Sequence, residues 1–460
     1  MAENNSSKKL HIVMFPWFAI GHMTPFLHLS NKLAEKGHKI SFLLPNKAKL
    51  QLEHINLHPN LITFYILAVP QVDGIPPGTE TASEIPIFLT THLVTAMDKM
   101  QGQVKELLQK LKPSIVLFDV AHWIPQLASE IGFKTVNYNV VSAASLAIAL
   151  VPSRKPDQDR TITESELEKP PPGYPSSTVL LRKHEAHSFS FLFLEFGKGI
   201  TLFDRVTTAM KKSDAISIRT CREIEGPLCD YIAKDYEKPV LLTGPVLPES
   251  TSEKLEEKWE NWLNGFNPGT VVFCAFGSQI VLEKKQFQEL VSGLELTGLP
   301  FLIALKPPFG SETVEEALPE GFENRVRGRG IVHGGWVQQL AILKHPSVGC
   351  FVNHCGFGSM WESLMSDCQI VLVPHLADQI LNTRLLAEEL KVAVEIEREA
   401  NSNAWFSKES LCRAIKSVMD SDSEVGNVIK KNHAKWKEIL AGPSFLGDYV
   451  DKFIEELHQL

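Results

Sequence analysis

Short apolar runs alternate with stretches of helical spacing along nearly the whole chain. Leu10 to Phe15 is an apolar run of strand length. The loop PWFAIGHMTP follows, then a helical pattern from Phe26 to Lys36 that Gly37 closes. His38 to Leu44 reads as a second strand, and this strand–helix–strand opening predicts a parallel sheet covered on both faces. Further strands are expected at Leu61–Leu67, Ser114–Phe118, Thr135–Val141 and Ala215–Ile218. Helical spacing runs from Thr91 to Leu111 and again from Ser188 to Lys212.

Two stretches interrupt this alternation. Residues 152–187 are rich in proline and charge and read as a surface excursion. Residues 239–255, PVLLTGPVLPESTSEKL, read as an inter-domain linker. A second series follows, with strands at Val271–Ala275, Phe301–Leu305, Ile331–Val332, Val348–Val352, Ile370–Val373 and Val392–Val394. From Ser407 to Leu460 the pattern is helical. The expected fold class is therefore α/β, with two Rossmann-like doubly wound domains at 1–238 and 256–440 and a last helical segment at 441–460.

Composition narrows the function. At 460 residues, with 44% hydrophobic and 22% charged positions, the chain is globular and long enough for two or three cores. A net charge of −8 argues against a nucleic-acid partner. Seven cysteines, an odd number without a C-x-x-C, argue against a disulfide framework or a zinc site, so Cys350 and Cys355 are expected to pack as small apolar residues. The first ten residues are polar, and no run reaches the roughly 18–20 apolar residues of a membrane span. A cytoplasmic monomer without a membrane span is expected.

The chemistry concentrates in residues 336–379. The run SVGCFVN is a buried strand, and it ends at His354-Cys355-Gly356-Phe357-Gly358-Ser359, where Trp361 to Met365 starts a helix. A strand that feeds a helix through glycines makes an anion site, because free N–H groups and the positive helix end converge there. His354 and Ser359 add side-chain donors. Glu362, one turn on, suits a ribose diol, and Asp378-Gln379 after the next strand suits sugar hydroxyls. Trp336 can stack on a planar base. Base, ribose, diphosphate and sugar together describe a nucleotide-sugar.

From Trp336 to Gln379 the sequence resembles the signature box of the plant UDP-sugar-dependent glycosyltransferases, glycosyltransferase family 1. Trp336, Gln339, His354, Cys355, Gly356, Ser359, Glu362, Asp378 and Gln379 match that pattern, while Gln338, Phe357 and Gly358 stand where Pro, Trp and Asn are usual. The resemblance implies two domains facing across a cleft, a final helix returning to the first domain, and no cofactor, UDP-sugar being a co-substrate. It adds Ser278, Val337, Phe357 and Gly358 to the residues at the UDP-sugar.

Ligands of open α/β sheets sit at the carboxyl ends of strands. His22 falls there after the first strand, and Asp119 after Ser114–Phe118. A His suits removal of a hydroxyl proton near neutral pH, and a carboxylate on its other nitrogen would fix the tautomer. The plainer reading is a loop His capping a helix and an Asp ending a strand. The resemblance implies the catalytic one: the family has a His just after the Gly of the first loop and an activating Asp four residues before a Trp, here Trp123. No second carboxylate is evident as nucleophile, so inversion is expected. Of two D-x-D triplets, Asp157–Asp159 lies in the Pro-rich excursion and Asp420–Asp422 in a helix-end turn; neither follows a buried strand, so metal-independent transfer is expected.

Trp17, Phe18, His122 and Trp123 are expected to wall the acceptor site, with the Phe189/Phe191/Phe193 series either joining them or lying in the core. Two other classes are weighed. A nucleotide-binding oxidoreductase needs a G-x-G-x-x-G that neither glycine loop supplies. A non-catalytic sugar-binding protein would not need His22 with Asp119. Beyond the signature box, stretches such as FPWFAIGHMTPFLHLSNKLA, ALKPPFG and TCREIEGPLCDYI resemble a branch that extends a sugar already on a flavonoid or anthocyanin. That implies a glycosylated flavonoid-type acceptor, with His122 and the loop His184-Glu185-Ala186-His187 as polar groups for its first sugar. An aglycone or a terpenoid glycoside is the alternative, and the donor sugar stays open among glucose, xylose and rhamnose.

Overall fold

The computed structural model describes residues 9–155, 162–247, 254–277, 279–399 and 405–460, with backbone only at 183, 184 and 377. Two compact units emerge. One comprises residues 1–175, 189–249 and 446–460, the other 176–188 and 250–445.

The first unit is built on seven parallel strands: β1 (His11–Phe15), β2 (Lys39–Pro45), β3 (Ile62–Leu67), β4 (Ile115–Phe118), β5 (Lys134–Asn139), β6 (Ala215–Ile218) and β7 (Val240–Leu242). Their order is β3-β2-β1-β4-β5-β6-β7, so the winding reverses between β1 and β4. Successive strand residues face opposite sides. Val13, Phe15, Val116 and Phe118 enter one core, while Ile12, Met14, Ile115 and Leu117 enter the other. Burial on both faces is why these strands read as unbroken apolar runs. The last helix, Phe445–His458, gives Val450, Phe453, Ile454 and Leu457 to the second of these cores.

The second unit carries six parallel strands: β8 (Val271–Ala275), β9 (Phe301–Ala304), β10 (Gly330–His333), β11 (Val348–Asn353), β12 (Gln369–Leu372) and β13 (Ala393–Glu395). The order β10-β9-β8-β11-β12-β13 reverses between β8 and β11. The register of β11 against β8 slips at Gly349, where a side chain's Cβ would lie 2.0 Å from the Gly269 carbonyl oxygen; only glycine fits this bulge. Both sheets are Rossmann-like, as the periodicity predicts.

Three local expectations change. The helical stretch Thr91–Leu111 is two helices, Thr90–Lys99 and Gln101–Leu111, broken at Met100. Ser188–Lys212 is not one helix. Turns of 3-10 type at Lys183–Phe193 lead to a bridge between Glu195 and Thr201, closed by Gly197 and Gly199 in the left-handed region. Thr201 then caps the helix Leu202–Lys212 by accepting from the Asp204 N–H at 3.0 Å. Ala215–Ile218 is not the last strand of its sheet, because β7 occupies the start of the stretch read as linker.

Candidate active site

His22 lies in the first turn of the helix Ile20–Glu35, directly after β1, and Asp119 follows β4. These strands flank the reversal of the first sheet, where open α/β sheets bind ligands. Asp119 is 6% exposed and fully engaged. Its Oδ1 accepts from the Trp17 N–H at 2.7 Å and from its neighbour Val120 N–H at 2.6 Å, which ties the two loops together. Its Oδ2 accepts from His22 Nδ1 at 2.7 Å. A carboxylate can only accept here, so the His22 proton sits on Nδ1 and the Nε2 lone pair is left as a base. The imidazole is 30% exposed, open enough to meet a substrate hydroxyl. Asn137 of β5 supports the loop, its amide donating to the Asp119 carbonyl at 2.8 Å, and Asn139 in turn donates to Asn137 Oδ1 at 2.9 Å.

In the second unit the loops after β8 and β11 meet at the reversal of that sheet. The His354 ring lies between glycines. A Cβ on Gly356 would sit 2.6 Å from His354 Nε2, and one on Gly277 would sit 3.0 Å from Cε1. Burial pushes the His354 imidazole down to about 4, so it is neutral near pH 7, and its Nδ1 has no hydrogen-bond partner among the described residues. The helix Phe357–Met365 begins at Gly356 with no side-chain cap. Its first N–H groups, with the positive helix end, point where an anion is stabilised. Asn353 Oδ1 accepts from Cys355 N–H at 2.8 Å and Asn382 Nδ2 donates to Cys355 O at 2.9 Å, holding Cys355 in the left-handed region. An orphaned buried nitrogen, uncapped helix N–H groups and space kept by glycines suit a diphosphate. Trp336 is 71% exposed, its ring face available for a base. Gln339 Nε2 donates to Glu362 and orients that carboxylate.

A family described as "Glycosyltransferase, N-terminal domain" matches residues 8–248, and one described as "UDP-glucoronosyl and UDP-glucosyl transferase" matches residues 227–435. UDP-glycosyltransferase 79B6 of Arabidopsis thaliana is 57% identical over 453 residues, covering 98% of each chain. The chain belongs to the UDP-glycosyltransferase family.

Another Arabidopsis thaliana relative, an anthocyanidin 3-O-glucoside 2'''-O-xylosyltransferase, is 58% identical over 462 residues, 99% of this chain and 98% of that one. Among solved structures, an Arabidopsis thaliana UDP-glycosyltransferase complexed with UDP-L-rhamnose superposes with a TM-score of 0.76 at 22% identity, over 98% of this chain and 100% of that one. A Glycyrrhiza uralensis enzyme complexed with glycyrrhetinic acid 3-O-monoglucuronide gives 0.79 at 21%, over 98% and 96%. The fold of this UDP-glycosyltransferase is therefore the shared two-sheet fold of the family.

Several residues singled out in the sequence stand elsewhere. Phe18 is wholly buried and stacked on Trp17, so it is core and not a wall of the acceptor site. Trp17 and Trp123 are nearly buried too, and Trp123 Nε1 donates to Asp98 Oδ1 at 3.0 Å. Phe357 is buried edge-on to Trp361. Val337 is buried in a core cluster of the second unit. Nothing lies within 4 Å of the point where a Gly358 Cβ would be. Gln379 Oε1 caps its own helix, accepting from His375 N–H at 2.9 Å and Leu376 N–H at 3.0 Å, which leaves its amide N–H groups for a ligand. Phe189 is buried, Phe191 exposed and Phe193 packed on Phe203, so the three do not form one wall.

Glu185 is no acceptor ligand. It is buried in the second unit and accepts from Arg384 and, at 2.8 Å, from Arg398. His187 groups with that unit, and the His184 side chain lies outside the described residues. So do Ser278 and Asp157–Asp159, while Asp420 Oδ1 merely accepts from the Asp422 N–H at 3.0 Å within a turn. Among the described residues no three His, Cys, Asp or Glu are grouped to hold a metal ion. The supports Asn137, Asn139 and Asp98 carry no motif and are not legible from sequence.

Proposed function

We propose that this enzyme extends the sugar of a flavonoid or anthocyanin glycoside, such as a 3-O-glucoside, using His22 as base and Asp119 as its partner. The observation that carries the chemistry is the His22 Nδ1 to Asp119 bond at 2.7 Å, which aims a basic Nε2 outward. The acceptor hydroxyl gives its proton to Nε2 as its oxygen bonds to the anomeric carbon, and the bond from that carbon to the UDP oxygen breaks. Asp119 stabilises the imidazolium. Direct displacement inverts the anomeric centre.

The charge on departing UDP falls on the helix start at Gly356–Ser359 and on His354, without a metal. Trp336 stacks on the base, Glu362 holds the ribose, and Asp378 with Gln379 holds the donor sugar. The acceptor class rests on whole-length similarity to the xylosyltransferase of anthocyanidin 3-O-glucosides. The protein is read as a cytoplasmic monomer; no described helix is long and apolar enough to cross a membrane. The test is turnover of quercetin and cyanidin against their 3-O-glucosides, each with UDP-xylose, UDP-glucose and UDP-rhamnose. The glucosides are expected to be used far better. Preference for the aglycones overturns the acceptor reading, and activity lost to EDTA and restored by Mg²⁺ overturns the metal-free one.

A further inference from the structure

His122 stands three residues after Asp119 on the same loop, and its surroundings permit one tautomer only. Arg205, wholly buried on the helix Leu202–Lys212, donates to both oxygens of Asp98 at 2.9 and 2.6 Å and from Nε to the Phe196 carbonyl at 2.9 Å. A further Nη1 contact reaches His122 Nδ1 at 3.0 Å. A guanidinium has no lone pair to offer and keeps its protons, so His122 Nδ1 must accept and the imidazole proton must sit on Nε2. A second proton on Nδ1 would set N–H against N–H beside a cation. Burial foremost, then Arg205 and Lys212, hold the imidazole below its usual range, against the opposing pull of Asp98.

Room is made for this arrangement. Gly197 is in the left-handed region, and a Cβ there would lie 2.2 Å from Arg205 Nη2 and 3.0 Å from Asp98 Oδ2. Trp123 Nε1 donates to the same Asp98 at 3.0 Å. His22 and His122 are thus opposite. His22 gives its Nδ1 proton to a carboxylate and leaves a lone pair on Nε2, whereas His122 accepts at Nδ1 and leaves a proton on Nε2. His122 cannot act as a base through Nε2; it can only donate there.

We propose that His122 is a fixed hydrogen-bond donor to an oxygen of the sugar already on the acceptor, and that Arg205 and Asp98 are positioning residues that hold its tautomer. This rests on the glycoside-acceptor reading above. It makes the loop after β4 a specificity element: a glycoside pairs the Nε2–H of this half-buried residue, and an aglycone leaves it unpaired.

The experiment combines two readouts on the full-length enzyme. Histidine ¹⁵N spectra of the wild type, with the signal identified by its loss in His122→Gln, should show the Nε2–H tautomer at neutral pH and above. In Arg205→Lys, which keeps the charge but not the fork, both tautomers should appear. The kcat/KM ratio of a flavonoid 3-O-glucoside to its aglycone should fall at least about tenfold in His122→Phe, the scale of one unpaired buried donor. His122→Gln, which retains an N–H, should keep most of the ratio. A wild-type Nδ1–H tautomer, or an unchanged ratio in His122→Phe, overturns the proposal, and these hold even if Arg205→Lys does not fold. A wild type that prefers aglycones sinks the acceptor reading instead, so the two failures are told apart.

Discussion

The two sheets reverse their winding in the same way, yet the sites at the two reversals are built from opposite materials. After β1 and β4, a histidine is backed by a carboxylate, stays partly open and keeps a lone pair outward. After β8 and β11, a histidine is enclosed by glycines, has no carboxylate partner among the described residues and is held neutral by burial, next to uncapped helix N–H groups. The first arrangement suits moving a proton, because the acid behind the ring stabilises the imidazolium that forms. The second suits holding an anion, because its donors are fixed in place and need no proton change. Fold alone does not distinguish them; the residue behind each ring does.

Breaking the first site should have the largest effect. His22→Ala is expected to lower kcat by about 10²- to 10⁴-fold, the range for a lost general base. Asp119→Asn should act through the tautomer. Its oxygen must stay with the Trp17 and Val120 N–H groups, so the new NH₂ faces His22 Nδ1 and forces the proton onto Nε2. Loss of about 10²-fold or more in kcat is expected, with KM for the UDP-sugar little changed, measurable by steady-state kinetics. Retained turnover in Asp119→Asn would mean that the carboxylate only ties the loops together.

Breaking the second site should show in binding. In Gly356→Ala the backbone conformation is tolerable, but the Cβ meets His354 Nε2 at 2.6 Å and must displace that ring. UDP affinity by calorimetry should weaken about tenfold, as when one charge-assisted hydrogen bond is lost. Unchanged affinity would remove His354 from the diphosphate.

A change of pH sharpens the contrast further. Burial pushes His354 and His38 down to about 4 and His375 to about 3. Between those values and the unfolded value near 6.5 the unfolded chain binds more protons than the native one. Stability should therefore fall as pH drops from about 6.5 toward 4. Urea unfolding at a series of pH values reads this, and stability flat across that window would contradict it.

Much of this division was legible in the chain. Apolar runs of strand length located most of both sheets, because strands buried on two faces have no polar alternation to blur them. β7, at three residues, was too short to stand out from the prolines and glycines around it. The His354–Ser359 turn could be read because glycines and a helix start are local signals. The roles of Phe18 and Phe357 could not, since an aromatic ring in a loop or at a helix start looks the same whether it faces ligand or core. Glu185, Asp98 and Arg205 escaped for a different reason. Buried ion pairs link positions roughly a hundred or more residues apart, and no local pattern announces them.

The central claim is that proton transfer and nucleotide binding reside on different histidines. Titration of UDP into His22→Ala, alongside its kcat, tests this most directly. The account predicts wild-type UDP affinity with turnover reduced at least about 10²-fold. Near-normal turnover, or UDP affinity weakened in step with kcat, would contradict it.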